Sequence, residues 1–274
     1  MLAAAEGYLR EREVEAPRLS VEWMLARVLG MSRLEVYMAH DRPLEDSERQ
    51  RMREMVSRRG RGEPLAYILG DQEFCGQVFK VNSAVLIPRP ETEGLVSLAV
   101  DLAPQGGRGA DLGTGSGAIA VSVCKLREDV TMVATDVSPE ALTVARENAE
   151  AQGVVDRVEF RQGSWWDPVA DERFDFVLSN PPYVDSDRSD LLAEDVRKFE
   201  PAAALFPSGG VTQAYEELVR GTEGMPAGAP VLFETGVGAS QAGLETMRSA
   251  PWLTDVELRD DEAGIPRYLL ARRS

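Results

Sequence analysis

Asp111-Leu112-Gly113-Thr114-Gly115-Ser116-Gly117 is the stretch on which the reading of this 274-residue chain turns. Three glycines at alternate positions precede an apolar run, Ala118–Arg127, with helical character. Glycine allows a tight turn from strand to helix and lets a ligand come close to the backbone. Free amides at the start of the helix suit a carboxylate or phosphate. The preceding Gly106-Gly107-Arg108-Gly109-Ala110 is poor strand material. A strand over 109–112 is therefore assigned from the glycine loop and helix on its carboxyl side. Taken alone the loop is ambiguous, since Gly113 to Ala118 also satisfies the GxGxxA form of a nicotinamide-binding turn. A structural turn without a ligand is the third reading.

Outward from this loop, strand-like and helix-like segments alternate. Strands are expected at Thr131–Asp136, Arg157–Gln162, Phe174–Ser179, Pro230–Glu234, near Val256–Leu258 and at Tyr268–Ala271. Between the first and second of these, Ser138 is a helix cap and Pro139 the first residue of a helix running to Gln152. The alternation predicts an α/β sheet with helices on both faces.

The first 70 residues have a different pattern. Val21, Met24, Leu25, Val28 and Leu29 recur at helical spacing, with Gly30 as the stop. Ser32 is placed to cap a helix over 33–39, and Asp46 or Ser47 a third helix, before a brief Leu65–Leu69 helix closed by Gly70. The third helix carries Arg49, Arg51, Arg53, Arg58 and Arg59. They read as a solvated face or as a basic contact surface for a ribosomal or protein partner. Glu73-Phe74-Cys75 and Val78–Val81, around Gly76-Gln77, predict a hairpin. The domain reading is a helical substrate-recognition domain at 1–70, a hairpin linker at 71–86 and a catalytic domain at 87–274.

Charge and rare residues narrow the chemistry. Residues 1–62 hold 11 acidic and 12 basic side chains, which leaves 35 of the 46 acidic and 18 of the 30 basic groups, a net of −17, for residues 63–274. Such a body repels phosphate backbones, so nucleic acid is a poor substrate. Only Cys75 and Cys124 are present, outside any CxxC pattern, and His40 is the sole histidine. A disulfide framework, a metal site and histidine catalysis are all disfavoured. No apolar run approaches the roughly 20 residues of a membrane span, and the N-terminus lacks a signal-peptide layout. A cytoplasmic location is expected.

Two further elements define a site. Asp136 ends the second strand, where a carboxylate accepts hydrogen bonds from ribose hydroxyls. Dehydrogenases and methyltransferases share that acid. Asn180-Pro181-Pro182-Tyr183, after the strand Phe174–Ser179, separates them. An amide or aromatic amino nitrogen is a weak nucleophile because its lone pair is delocalised. The Asn180 side-chain oxygen and the Pro181 carbonyl are two acceptors for its two N–H groups. The prolines hold φ fixed and aim the carbonyl, and Tyr183 is expected to pack on the flat substrate group. A sulfonium methyl donor is already activated, so positioning and desolvation suffice.

Asp111 to Gly117, Asp136 and Asn180 to Tyr183 resemble the class I methyltransferases that modify amide and amino nitrogens. Arg61 to Gly70, Leu86 to Glu93 and Asp195 to Pro201 narrow the resemblance to the HemK/PrmC family of release factor glutamine methyltransferases. The resemblance runs from about residue 18 to 270. Pro90 in Arg89-Pro90-Glu91-Thr92-Glu93 separates this family from the ribosomal-protein glutamine methyltransferases, which have serine there. The resemblance implies a Rossmann-like seven-stranded sheet behind a small all-α domain. It implies S-adenosyl-L-methionine as methyl donor and the glutamine of the release-factor Gly-Gly-Gln loop as acceptor. Gly113, Thr114, Gly115, Ser116 and Gly117 then line the cofactor, Asp136 takes the ribose, Trp165 lies beside the adenine and Asn180 bridges cofactor and substrate. Asn180, Pro181, Pro182 and Tyr183 form the catalytic and substrate-binding set, with no metal. Arg89 and Glu91 to Glu93 border the site.

Some positions depart from the family pattern. Ser164 stands where an aspartate is common, Lys198 is inserted in the Asp195–Pro201 run, Gln241 falls two residues late after Glu234-Thr235-Gly236, and Gly264-Ile265-Pro266-Arg267 is an atypical ending. A ribosomal-protein glutamine methyltransferase is the nearer alternative. A DNA adenine N6-methyltransferase shares the Asn-Pro-Pro-Tyr logic but needs a basic groove. A non-catalytic cofactor-binding module has no use for Asn180.

Overall fold

The computed structural model describes residues 2–39 and 41–274, with the side chains of Arg188 and Leu191 left aside; His40 lies outside the described residues. The chain divides into two compact units. One comprises the residues up to Asp71 together with Ala193–Phe199, the other Gln72–Leu192 and Glu200–Ser274.

The first unit holds α1 (Leu2–Arg10), α2 (Pro17–Leu29), α3 (Arg33–Met38), α4 (Asp46–Gly60) and α5 (Leu65–Leu69). Pro17 starts α2 and Gly30, in the left-handed region, ends it. Ser32 caps α3 in a reciprocal box with Glu35. Glu45 rather than Asp46 or Ser47 precedes α4, and it too forms a capping box, with Glu48. Leu9, Met24, Met52 and Val56 bury the apolar stripes of α1, α2 and α4 against one another.

The second unit opens with a hairpin, β1 (Asp71–Phe74) and β2 (Gln77–Lys80). Its turn is Cys75-Gly76, both at positive φ, so the bend falls one residue earlier than the Gly76-Gln77 expected from sequence. Two central residues at positive φ match the right-handed twist of paired strands. Next in the chain are α6 (Glu93–Leu102), β3 (Arg108–Leu112), α7 (Ala118–Leu126), β4 (Thr131–Asp136), α8 (Pro139–Gln152), β5 (Val158–Gln162) and β6 (Phe176–Ser179). After α9 (Glu194–Phe199), which belongs to the first unit, come α10 (Ala202–Leu205), α11 (Val211–Arg220), β7 (Pro230–Glu234), α12 (Ser240–Ser249), β8 (Leu253–Asp260) and β9 (Pro266–Arg273).

The seven strands from β3 onward form one sheet in the order β5-β4-β3-β6-β7-β9-β8. Neighbours from β5 to β7 pair in parallel, while β9 is antiparallel to both β7 and β8. This is the α/β sheet expected from the alternation. Helices cover both faces. Leu95, Val96 and Ala99 of α6 pack with the buried faces of α7 and α8 on one side. Tyr215, Leu218 and Val219 of α11 pack with Leu244 and Met247 of α12 on the other. The glycines around β3 have a packing cause. A Cβ on Gly109 would lie 2.3 Å from the Phe176 ring and 2.6 Å from the Met132 sulfur, so the flanking strands require a residue without a side chain there. Strand order reverses between β3 and β6. In an open parallel sheet that switch point leaves a crevice at the carboxyl ends of the strands.

Candidate active site

Everything of chemical interest lies at that crevice. Gly113, Gly115 and Gly117 all have φ between 56° and 80°, the left-handed region that glycine enters without a steric cost. Gly113 and Thr114 donate their amides to the Thr135 carbonyl at 2.9 Å, which binds the loop to the end of β4. A Cβ on Gly117 would meet the Ala145 Cβ at 3.1 Å, so this glycine brings the loop against α8. Gly115 has open space where a Cβ would stand. Asn148, buried on α8, donates to the Ser116 carbonyl at 2.8 Å.

Two carboxylates shape the loop. Asp111 is fully buried, and its Oδ2 accepts from the Thr114 hydroxyl at 2.6 Å and the Ala120 amide at 3.2 Å. Burial pushes its carboxyl up to about 6, against the pull of those two donors. Asp136 accepts the Gly115 amide on Oδ2 and the Ser138 amide on Oδ1, both at 2.9 Å. Burial raises its pKa too, with the amides of Ser138, Gly115 and Val137 working the other way. Each Asp136 oxygen retains a lone pair beyond its amide bond.

A cavity of about 510 Å³ opens in front of these groups, the size of a small-molecule site. Gly113, Thr114, Gly115, Ser116, Asp136, Ser164, Trp165, Asn180 and Pro182 line it, as do Arg89 and Thr92. Gly117, Pro181 and Tyr183, expected from sequence at the site, are not on the wall. Gly117 is turned to Ala145. Pro181 is buried. The Tyr183 ring rests on Gly236, where a Cβ would approach it to 2.5 Å. Instead of facing a flat ligand group, its hydroxyl reaches Glu234 Oε1 at 3.4 Å. Trp165 sits at φ 42°, a strained backbone state for a residue with a side chain. The Thr135 hydroxyl holds its carbonyl at 3.0 Å, and its ring covers Gly113.

Asn180 comes directly after the last residue of β6, Ser179, whose hydroxyl donates to the Leu112 carbonyl at 2.6 Å. That bond joins the two strands that flank the switch point. The Asn180 amide donates from Nδ2 to Thr92 Oγ1 at 3.2 Å. Among the described residues no donor reaches Asn180 Oδ1 or the Pro181 carbonyl, so neither is engaged by the protein, and Asn180 is on the cavity wall. Arg89, on the wall, pairs at 2.5 Å with Glu200, which also accepts the Ile87 amide. Thr92 lay in the sequence run that borders the site, but its bond to Asn180 was not readable there. The role of Asp111 was likewise hidden, although an acid opening a glycine loop is a usable signal.

The sheet order, the glycine loop with its strand-end acid, and Asn-Pro-Pro-Tyr after β6 together define a class I methyltransferase. Residues 92–213 match the family model described as "Methyltransferase small domain" and residues 1–70 match "PrmC N-terminal domain". A release factor glutamine methyltransferase of Geobacter sulfurreducens is 39% identical over 97% of this chain and 93% of its own length. One from Nitratidesulfovibrio vulgaris is 39% identical over 100% of this chain and 94% of its own. This chain belongs to the release factor glutamine methyltransferase family. Among solved structures, the hMettl16 catalytic domain in complex with the MAT2A 3'UTR hairpin 1 shares the fold. Its TM-score is 0.58 at 17% identity, over 84% of this chain and 81% of that one. Among the described residues, no helix is long and apolar enough to cross a membrane.

Proposed function

We propose that the chain transfers the methyl group of S-adenosyl-L-methionine to the side-chain nitrogen N5 of the glutamine in the Gly-Gly-Gln loop of peptide chain release factors. The observation that carries this reading is the free Oδ1 of Asn180 on the wall of a cavity that Asp136 and the glycine loop also line. The names of the relatives agree with it.

The donor set suits a nucleoside bearing a cationic sulfur. Asp136 presents two oxygens to the ribose hydroxyls, and the open space at Gly115 admits a ligand against the backbone. Trp165 and Ser164 border the adenine end. The bound cofactor supplies a methyl group already activated by its positive sulfur. Asn180 Oδ1 accepts one N–H of the glutamine amide and the Pro181 carbonyl the other. With both N–H groups held, the lone pair is oriented toward the methyl carbon. Bound there, the cofactor would supply the methyl group to the nitrogen that Asn180 and Pro181 hold, and the amide proton given up would pass to water. Pro182 walls the cavity, and Tyr183 braces the Pro-Pro turn from behind through Gly236 and Glu234.

In the same reading residues 1–70 recognise the protein substrate, residues 71–86 link the domains and residues 87–274 catalyse, in the cytoplasm. Nucleic acid is not the substrate, since residues 63–274 carry a net −17.

The test is mass spectrometry of a release factor incubated with enzyme and cofactor. One added methyl on the Gly-Gly-Gln glutamine is expected, and none on a release factor with that glutamine changed to alanine. Asn180→Ala is expected to lower turnover on the order of 10²–10³-fold, the worth of a preorganised polar group at a reacting centre. Asn180→Asp keeps an acceptor and retains part of the activity. Near-wild-type turnover by Asn180→Ala, or methylation of the control, defeats the reading.

A further inference from the structure

Among the described residues that line the cavity, Arg89 is the only one with a basic side chain, against three acids, Asp136, Glu140 and Glu217. Its backbone is pinned. A residue before proline is held to extended conformations, and Arg89, which precedes Pro90, has φ −101° and ψ 143°. A buried acid orients its side chain. Arg89 donates from Nη2 to Glu200 Oε1 at 2.5 Å, and the other Glu200 oxygen accepts the Ile87 amide at 3.1 Å. The Glu200 side chain is 1% exposed and that of Arg89 27%. A guanidinium carries five N–H donors in a rigid fork. Among the described residues, Nε and Nη1 of Arg89 meet no acceptor, and neither is sealed from solvent. A charged fork with open donors therefore stands on the cavity wall.

The turn that follows fixes where along the cavity it stands. The Arg89 carbonyl accepts the Thr92 amide at 3.0 Å, and the Thr92 hydroxyl accepts Asn180 Nδ2 at 3.2 Å. One turn thus joins Arg89 to Asn180, the residue assigned to the methyl-transfer end.

The glycine loop has little left to offer an anion. Gly113 and Thr114 give their amides to the Thr135 carbonyl, Gly115 gives its amide to Asp136, and Gly117 gives its amide to the Thr114 carbonyl. Of the five amides from Gly113 to Gly117, only that of Ser116 has no acceptor among the described residues. A hydrogen bond from a cation to a carboxylate is roughly twice as strong as one between neutral groups. S-Adenosyl-L-methionine carries positive charge on its sulfur and its α-ammonium, and negative charge only on its α-carboxylate. The three acids complement the positive groups, and Arg89 complements the carboxylate.

We propose that Arg89 binds the α-carboxylate of the cofactor, with Glu200 as the positioning residue that holds the guanidinium ready for it. The proposal rests on the methyltransferase reading above and adds to it the group that grips the amino-acid end of the methyl donor. Because Glu200 and Pro90 already restrain Arg89, little side-chain freedom is lost when the carboxylate arrives.

The experiment is isothermal titration of the full-length enzyme with S-adenosyl-L-homocysteine and with methylthioadenosine, which keeps the adenosine and the sulfur but lacks the amino-acid part. Wild type is expected to bind the first more tightly, by about tenfold or more. Arg89→Gln removes the charge. It is expected to weaken S-adenosyl-L-homocysteine about 10- to 100-fold, the worth of hydrogen bonds to a charged group, and to leave methylthioadenosine within about twofold. Arg89→Lys keeps a cation for Glu200 but not the fork, and is expected to weaken S-adenosyl-L-homocysteine about three- to tenfold with methylthioadenosine again unchanged. It carries the test should Arg89→Gln fail to fold. A residue that merely holds the cavity together affects both ligands alike. The proposal is overturned if the variants bind both ligands as wild type does, if they lose both to the same extent, or if wild type binds the two equally well. Wild type that binds neither ligand overturns the cofactor reading instead, and this proposal with it.

Discussion

Replacing Asp136 tests the cofactor site most directly. In the structure its carboxylate holds the Gly115 and Ser138 amides, one on each oxygen at 2.9 Å, and keeps a lone pair on each for a ligand. Asp136→Asn preserves the volume and one acceptor but removes the charge and one oxygen. Hydrogen bonds to an ionised group contribute roughly 1.5–3 kcal/mol each. Losing the charge assistance to the ribose is therefore expected to weaken S-adenosyl-L-methionine by about 1.5–3 kcal/mol, or about 10- to 150-fold in Kd. Asp136→Ala also frees both loop amides and is expected to be at the upper end. Isothermal titration with S-adenosyl-L-methionine and S-adenosyl-L-homocysteine reads the effect, with urea unfolding as the control for the loop itself. Because burial raises the Asp136 pKa, affinity in wild type is also expected to decline as the pH falls, when the acceptor gains a proton. Unchanged affinity in Asp136→Asn refutes the ribose assignment. Tight NADH binding by wild type revives the dehydrogenase reading.

Three other outcomes are expected. Gly117→Ala places a Cβ 3.1 Å from that of Ala145 at a φ of 80° and should destabilise the fold by about 1–3 kcal/mol in urea unfolding. Glu234 is held near 7 in the folded chain, above its ordinary value of 4.5, so the native state binds a proton more tightly than the unfolded state. Wild-type stability should therefore decline as pH rises from about 4.5 to 7, by on the order of 3 kcal/mol. Thermal scans of Glu234→Gln should lack that decline, making the variant more stable than wild type at pH 8. Leu34, Tyr37 and Met38 are 68%, 73% and 70% exposed in the helical unit. Changing all three to serine should raise KM for a whole release factor and leave a short Gly-Gly-Gln peptide unaffected, whereas equal effects on both substrates would remove the recognition role.

The alternation of segments and the punctuation of the glycine loop were enough to predict an α/β sheet with helices on both faces, and the family resemblance implied its seven strands. The same local signals placed α8, its Ser138 cap and Pro139 start included. Elements decided by long-range packing were harder to place. The segment expected to be a strand from Phe174 begins only at Phe176, because Asp175 is engaged with Arg108, its side chain taking the Arg108 amide and its own amide the Arg108 carbonyl. The last two strands, β8 and β9, run to 8 residues each, beyond the short cores visible in sequence, because their ends are held by pairing with each other. Gly109, inside β3, read as poor strand chemistry until the Phe176 ring and Met132 sulfur beside it were seen.

The sequence by itself determined the chemistry of the site. Asn180 with two prolines, the glycine loop and Asp136 are short segments whose function depends on residue type and on their position at strand ends, and both are written locally. Tertiary structure alone decided how those groups are turned. Thr92 and Asn180 are 88 residues apart, and Tyr183 and Glu234 are 51 apart. Tyr183 and Glu234 meet because the parallel strands β6 and β7 bring their carboxyl ends to one edge of the sheet, and Thr92 reaches Asn180 because α6, which it precedes, packs on that sheet. Hydrogen-bond direction and burial are properties of such meetings, so the free face of Asn180 and the raised pKa of Glu234 exist only in the folded chain.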